Sequence, residues 1–194
     1  MGQATEVSGG SAANTLAGMA DLGSKTAFIG KVNADELGRI FRHDMNSIGV
    51  EFKTPEAENG VVTARCLIVV TPDGQRTMNT FLGAAGEIHK KDVDEALIAN
   101  AQIFYGEGYM WDMDVTKKAL RKAFTAAKKA GAKVAFTLSD VFCVERSRED
   151  YLAMIKNDFD ILFCNHDEAA ALYPGKSFEE ILDLLQGQCE VVAV

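Results

Sequence analysis

Ser8, Gly9, Gly10, Ser11, Ala12, Ala13 and Asn14 stand in a row where a helix is predicted to begin, and their types suit the capture of a hydroxyl-rich ligand. Two glycines at a helix entrance let the backbone come within hydrogen-bonding distance of a bound molecule, because no Cβ intervenes and unusual φ values cost little. Asn14 follows one helical turn later. Its amide can both donate and accept, which suits a vicinal diol of the kind a sugar ring carries. The same residues also make a tight turn followed by a polar residue at a helix end, so the motif by itself leaves both uses open. A second run, residues 26–38 (TAFIGKVNADELG), reads as strand, turn and helix, with Asp35 placed to cap the helix that starts at Glu36. A third candidate pair is Asn165 and Glu168. Asn followed three residues later by Glu, ahead of Ala169, Ala170 and Leu172, is the signature of a capped helix start.

Seven helices are needed to position these groups, over residues 11–22, 36–48, 92–100, 114–130, 147–157, 166–173 and 177–186. Gly23, Gly49 and Gly131 stop three of them. Strand-length apolar runs lie between them at 26–29, 102–105, 133–138, 160–164 and 190–194. Strand and helix alternate, which predicts an α/β fold of right-handed βαβ units whose parallel sheet is covered by helices on both faces. Ligands of such sheets bind outside the carboxyl ends of the strands. Residues 50–81 break the rhythm and read as strands alone. Val62, Ala64, Cys66, Ile68 and Val70 are expected to form one apolar face, and Thr71, Pro72, Asp73, Gly74 and Gln75 supply the turn to a second strand. An antiparallel flap in a parallel α/β domain serves as a lid, an oligomer contact or both. The expected organisation is therefore a first core segment over 1–49, a β lid over 50–83 and a second core segment over 84–194.

The 194 residues are 47% hydrophobic, enough for a core, and carry a formal net charge of −8. That charge argues against nucleic acid or an acidic membrane as partner. Lys117, Lys118, Arg121, Lys122, Lys128 and Lys129 are the basic cluster, and their spacing among apolar residues is that of a solvated helix face. The longest apolar runs are strand-sized and no basic-then-apolar leader opens the chain, so a cytoplasmic protein without a membrane span is expected. Cys66, Cys143, Cys164 and Cys189 are far apart and lack CxxC spacing, which reads as small buried hydrophobes in a reducing compartment. Val191, Val192, Ala193 and Val194 read as the middle of a buried strand, and few residues precede the glycine loop. The chain is accordingly read as the interior of a longer protein.

The glycine loop, the flap ending in RTMNTFLGAAGEI (76–88), the FTLSD run (136–140) and the DILFCNHDEAA run (160–170) occur together in one order. In this the sequence resembles the ribokinase-like carbohydrate kinases, the PfkB family, and within it the adenosine kinase branch. The resemblance implies a ribokinase-like three-layer αβα fold with a parallel central sheet and an inserted antiparallel β lid, incomplete at both ends of this chain. It implies ATP-dependent, magnesium-aided phosphorylation of a hydroxyl on a small-molecule sugar or nucleoside. It assigns Gly9, Gly10, Ser11 and Asn14 to the acceptor, Asn165 to the nucleotide phosphates and Glu168 to the Mg2+. The apolar face of the lid itself is expected to close on the substrate, pair with a second subunit's lid in a homodimer, or both. Leu16 stands where the family has a small residue and Asn33 where it has a glycine. The GAGD-type loop that carries the family's carboxylate base has no counterpart here, so no catalytic residue is assigned and the segment alone is expected to be inactive. The alternatives are a ribokinase- or fructokinase-like specificity, and a non-catalytic sugar or nucleoside sensor of the same fold. A Rossmann oxidoreductase is disfavoured, because no GxGxxG is followed about twenty positions on by an acidic residue.

Overall fold

A computed structural model describes residues 4–57 and 60–194. The chain forms two compact units, Met1–Ile88 and His89–Val194. In the first, α1 (Ser11–Asp21), β1 (Thr26–Ala27), α2 (Glu36–Ser47) and β2 (Val50–Glu51) pack together, with β1 and β2 paired in parallel. Their core is Ala13, Val32, Met45, Val50 and Phe52, with Leu16, Ala20, Phe28 and Phe41 against it. Leu16, the bulky departure from the family pattern, is thus spent on packing. Phe28, Phe41 and Phe52 meet edge to face with centroids 5.1 to 5.8 Å apart. The Arg42 guanidinium lies 4.3 Å over the Phe52 ring and donates to the Phe52 and Thr54 carbonyls. A cation there ties α2 to the strand that follows it.

The strand-only stretch begins in this parallel pair and becomes an antiparallel ribbon only at β3 (Arg65–Val70), which pairs with β4 (Arg76–Phe81). Val62 and Ala64, expected on one apolar face with Cys66, Ile68 and Val70, precede the strand. Leu67 and Val69 alternate onto the opposite face, so apolar side chains stand exposed on both sides of the ribbon.

The second unit holds α3 (Glu95–Ala99), β5 (Ile103–Glu107), α4 (Asp114–Ala130), β6 (Lys133–Thr137), α5 (Val141–Asn157), β7 (Ile161–Phe163), α6 (His166–Leu172), α7 (Phe178–Leu185) and β8 (Val191–Ala193). Its four strands are parallel in the order β5-β6-β7-β8. Two helices differ from expectation. The helix expected over 92–100 opens at Glu95, because Asp94 accepts from the Ala96 and Leu97 amides while Asp92 is drawn into a 3-10 turn by the His89 amide. The helix expected from Ser147 starts at Val141, where Asp140 accepts from the Phe142 amide. Ser147 is instead a break inside α5, at φ −132° and ψ 26°.

Phe136 of β6 organises this unit. It is fully buried, stacks on Phe159 at 4.4 Å, and meets Phe124 of α4 at 6.1 Å and Tyr151 of α5 at 5.7 Å. Helices α4 and α5 therefore cover the same sheet face. Right-handed crossovers between strands laid down in one direction require this. The opposite face carries Ile103, Tyr105, Phe163 and Val191, and Ile103 and Val191 are each 47% exposed.

Four of the six basic residues of α4 make structural contacts. Lys122 pairs with Glu95 and Lys128 with Asp158, while Lys117 and Arg121 lie over the ring of Trp111. Trp111 is fully buried and its Nε1 donates to Asp150 at 2.7 Å, a bond that Lys117 reinforces at 3.4 Å. The indole bond, with Lys117 behind it, holds the Asp150 carboxyl below the usual carboxylate range. Asp150→Ala leaves the buried indole N–H unpaired and should cost about 1–3 kcal/mol of stability, read as a lowered urea midpoint with unchanged m-value.

Candidate functional site

In the first unit the glycine loop enters α1 with Gly10 as the residue before the helix, at φ 117° and ψ 144°. That backbone conformation lies where an L side chain would be strained, so the glycine type is required. Among the described residues no side chain caps α1. The helix starts with the Asn14 amide donating to the Gly10 carbonyl at 2.8 Å. A Cβ on Gly9 would lie 4.0 Å from Asn14 Oδ1, so the Asn14 amide stands directly beside the bare glycine backbone. Gly9 and Asn14 line one cavity of about 350 Å3, together with Ser8, Ala13, Asp44 and Met45. This is within the size range of small-molecule sites. Gly10 and Ser11 are exposed next to them.

Ser8 Oγ donates to Asp44 Oδ2 at 2.5 Å and thereby holds the loop against α2. Asp44 lies 36 residues from Ser8, inside an amphipathic helix, and nothing in the local pattern marks it. Asp35 caps α2 by accepting from the Gly38 amide at 2.8 Å, as its position predicts. Both its oxygens also take bonds from Thr63, at 2.6 and 2.8 Å. Burial opposes ionisation here. The Thr63 hydroxyl and amide and the Gly38 amide outweigh it, and they hold Asp35 below its ordinary value.

In the second unit the polar groups gather at the carboxyl ends of the strands. Asn165 follows β7 and caps α6, its Oδ1 accepting from the Glu168 amide at 2.8 Å. Glu168 Oε1 accepts from Asn165 Nδ2 at 2.9 Å and Oε2 from the Asn165 amide at 3.2 Å. The two residues therefore form a reciprocal capping box. Glu168 is only 5% exposed. Burial pushes its carboxyl up, the Asn165 amide opposes this, and the charges of Asp140 and Asp167 add to it. After β6, Ser139 takes a positive φ of 74°. Its Oγ accepts from the Gly108 amide at 2.8 Å and its carbonyl accepts from the Tyr109 hydroxyl at 3.0 Å, which ties the end of β6 to the residues after β5. The Ser-Asp pair after an apolar strand is the signal in the sequence for this turn.

Among the described residues no group of three or more His, Cys, Asp or Glu side chains could cage a metal ion. Mg2+ keeps several waters and takes one or two carboxylates beside substrate phosphates, so a single carboxylate already carrying two hydrogen bonds fits a water-mediated contact and no inner-shell cage. The cysteines are unpaired thiols. Burial pushes Cys143 and Cys164 up to about 11, which leaves them inert at neutral pH.

The profile of the pfkB family carbohydrate kinases matches residues 1–194. The chain belongs to this family. A crystal structure of adenosine kinase from Sinorhizobium meliloti is 45% identical, superposes with a TM-score of 0.94 and aligns with 99% of this chain and 59% of that one. The probable sugar kinase protein from Rhizobium etli CFN 42 is 43% identical with a TM-score of 0.93, over 100% of this chain and 60% of that one. Probable fructokinase-6, chloroplastic, of Arabidopsis thaliana is 28% identical over 87% of this chain and 45% of its own length. This pfkB chain thus spans about half the length of the curated relatives it matches. Its fold is the α/β ribokinase-like fold, with a parallel sheet, covering helices and a separate antiparallel sheet.

Because the folded state raises the Glu168 carboxyl above its unfolded value of 4.5, its contribution to stability is complete below pH 4.5 and is lost as pH rises through the raised value. Urea unfolding between pH 4 and 7 should therefore show the parent losing stability relative to Glu168→Gln as pH rises, at no more than about 1.4 kcal/mol per pH unit.

Proposed function

We propose that this pfkB protein transfers the γ-phosphoryl group of ATP to a hydroxyl of a sugar or nucleoside, with adenosine-kinase-like specificity. The observation that carries this reading is the bare Gly9 backbone and the Asn14 amide on one cavity wall, in a chain 45% identical to an adenosine kinase over 99% of its residues. Asn14 presents a donor and an acceptor to neighbouring hydroxyls, and Gly9, Gly10 and Ser11 let the acceptor approach the main chain. Phosphoryl transfer requires positioning and charge neutralisation more than covalent chemistry. Holding the acceptor is therefore itself a catalytic contribution.

Asn165 is assigned to the nucleotide phosphates, and Glu168 would hold Mg2+ through water, where the ion neutralises charge on the transferring group. The base that receives the hydroxyl proton is not among the residues assigned. The β3–β4 ribbon acts as a lid that excludes water from the acceptor, which limits wasteful hydrolysis. Its exposed Ile68, Val70 and Met78, which share one face, also suit pairing with the ribbon of a second copy. Among the described residues no helix is long and apolar enough to cross a membrane, and the proposed location is the cytoplasm. A fructokinase-like specificity is the second reading, favoured by the curated relatives, at lower identity.

In the full-length protein, Asn14→Ala should weaken acceptor binding by about 0.5–1.5 kcal/mol, the worth of a hydrogen bond between neutral partners, and leave ATP binding unchanged. Calorimetry with adenosine, fructose and ATP on parent and variant checks this and separates the two specificities. Equal losses for acceptor and ATP would remove Asn14 from the acceptor site.

A further inference from the structure

Among the described residues the ribbon is fastened to the body of its unit by a group of bonds around Thr63. Thr63 is 5% exposed. Its amide donates to Asp35 Oδ2 at 2.8 Å, and its hydroxyl donates to Asp35 Oδ1 at 2.6 Å while accepting from the Asn33 amide at 3.0 Å. Asn33 Nδ2 donates to the Val61 carbonyl at 2.8 Å, which fixes the residues just before. Asp35 is at the same time the cap of α2, so the helix start and the incoming ribbon strand share one carboxylate. The outgoing strand is pinned beside it, the Ala84 amide donating to the Val62 carbonyl at 2.9 Å. Two glycines make the closeness possible. A Cβ on Gly38 would lie 2.0 Å from the Asn33 carbonyl oxygen and 2.9 Å from Thr63 Oγ1, and one on Gly83 would lie 2.2 Å from the Val62 carbonyl oxygen. Beyond this root the ribbon is exposed on both faces, with Leu67 at 70% and Val70 at 61%. Its own cross-strand bonds hold the two strands together but do not aim them.

We propose that Thr63 is a positioning residue: through Asp35 it sets the angle at which the ribbon leaves the body, and so where the lid meets the acceptor. The acceptor part of this rests on the kinase reading above. Thr63→Val keeps the shape of the side chain and removes the hydroxyl that donates to Asp35 Oδ1 and accepts from the Asn33 amide. Thr63→Ser keeps the hydroxyl.

Trypsin has exposed targets on the ribbon at Arg65 and Arg76, and Lys129 in the second unit serves as reference. In the purified protein, Thr63→Val should be cleaved at Arg65 and Arg76 about tenfold faster than the parent, with Lys129 unchanged and Thr63→Ser at the parental rate. In steady-state assays of the full-length protein with adenosine and ATP, Thr63→Val should raise the acceptor KM about tenfold and leave kcat and the ATP KM within about twofold. Parental cleavage rates on the ribbon would overturn the proposal. So would acceleration shared by Lys129, or an unaltered acceptor KM beside accelerated cleavage. Should Thr63→Val fail to fold, Asp35→Asn, which keeps the side-chain volume, is measured in the same way with the same expected and overturning results. A full-length parent protein that transfers no phosphoryl group fails the kinase reading itself, and this is recognised before any variant is compared.

Discussion

A helix leaves its first amides without partners, and what satisfies them decides the use of each candidate residue in this chain. At α2 the acceptor is Asp35 and at α6 it is Asn165, with Glu168 closing the box. Those side chains hold structure first, and any ligand they meet finds them already oriented. At α1 the corresponding residue is Gly10, which has no side chain to offer, and the amide-bearing Asn14 stands beside it. The three motifs look alike in sequence as polar punctuation before apolar runs. They differ physically in whether the residue before the helix caps it with a side chain, as Asp35 and Asn165 do, or is a glycine, as Gly10 is.

Close packing supplies the rigidity that such sites need. Phe136, fully buried between Phe124, Tyr151 and Phe159, fixes α4 and α5 on one face of the parallel sheet. The strand ends are thereby held still, and Ser139 can keep its left-handed conformation because the Gly108 amide and the Tyr109 hydroxyl both bond to it. The ribbon stands at the other extreme. It has a ladder of its own and almost no buried side chains, so its orientation depends on a few bonds around Thr63. Low local burial is what allows a segment to move without unfolding its neighbours.

The alternation of strands and helices, the α/β class, the antiparallel hairpin and the caps at Asp35 and Asn165 are all legible in the sequence, because each rests on interactions within a few residues. So is the adjacency of the glycine loop and Asn14, since one helical turn brings them together. Boundaries are less legible where two local signals compete. Asp94 prevails over Asp92 as the start of α3, and Asp140 over Ser147 as the start of α5, because each accepts from a first-turn amide that its competitor does not reach.

What only the tertiary structure decides is which distant residues share a bond. Asp44 meets Ser8 across 36 residues and Thr63 meets Asp35 across 28, and neither Asp44 nor Thr63 stands out by type or spacing. The face of the sheet that α4 and α5 cover follows from strand order, which no local pattern encodes. By itself the sequence determined the elements, the family resemblance and the chemistry each motif could offer, because these depend on residue type and short-range geometry. The tertiary structure decided which carboxylates are engaged and where the ribbon is anchored, because a hydrogen bond depends on distance in space and not on separation along the chain.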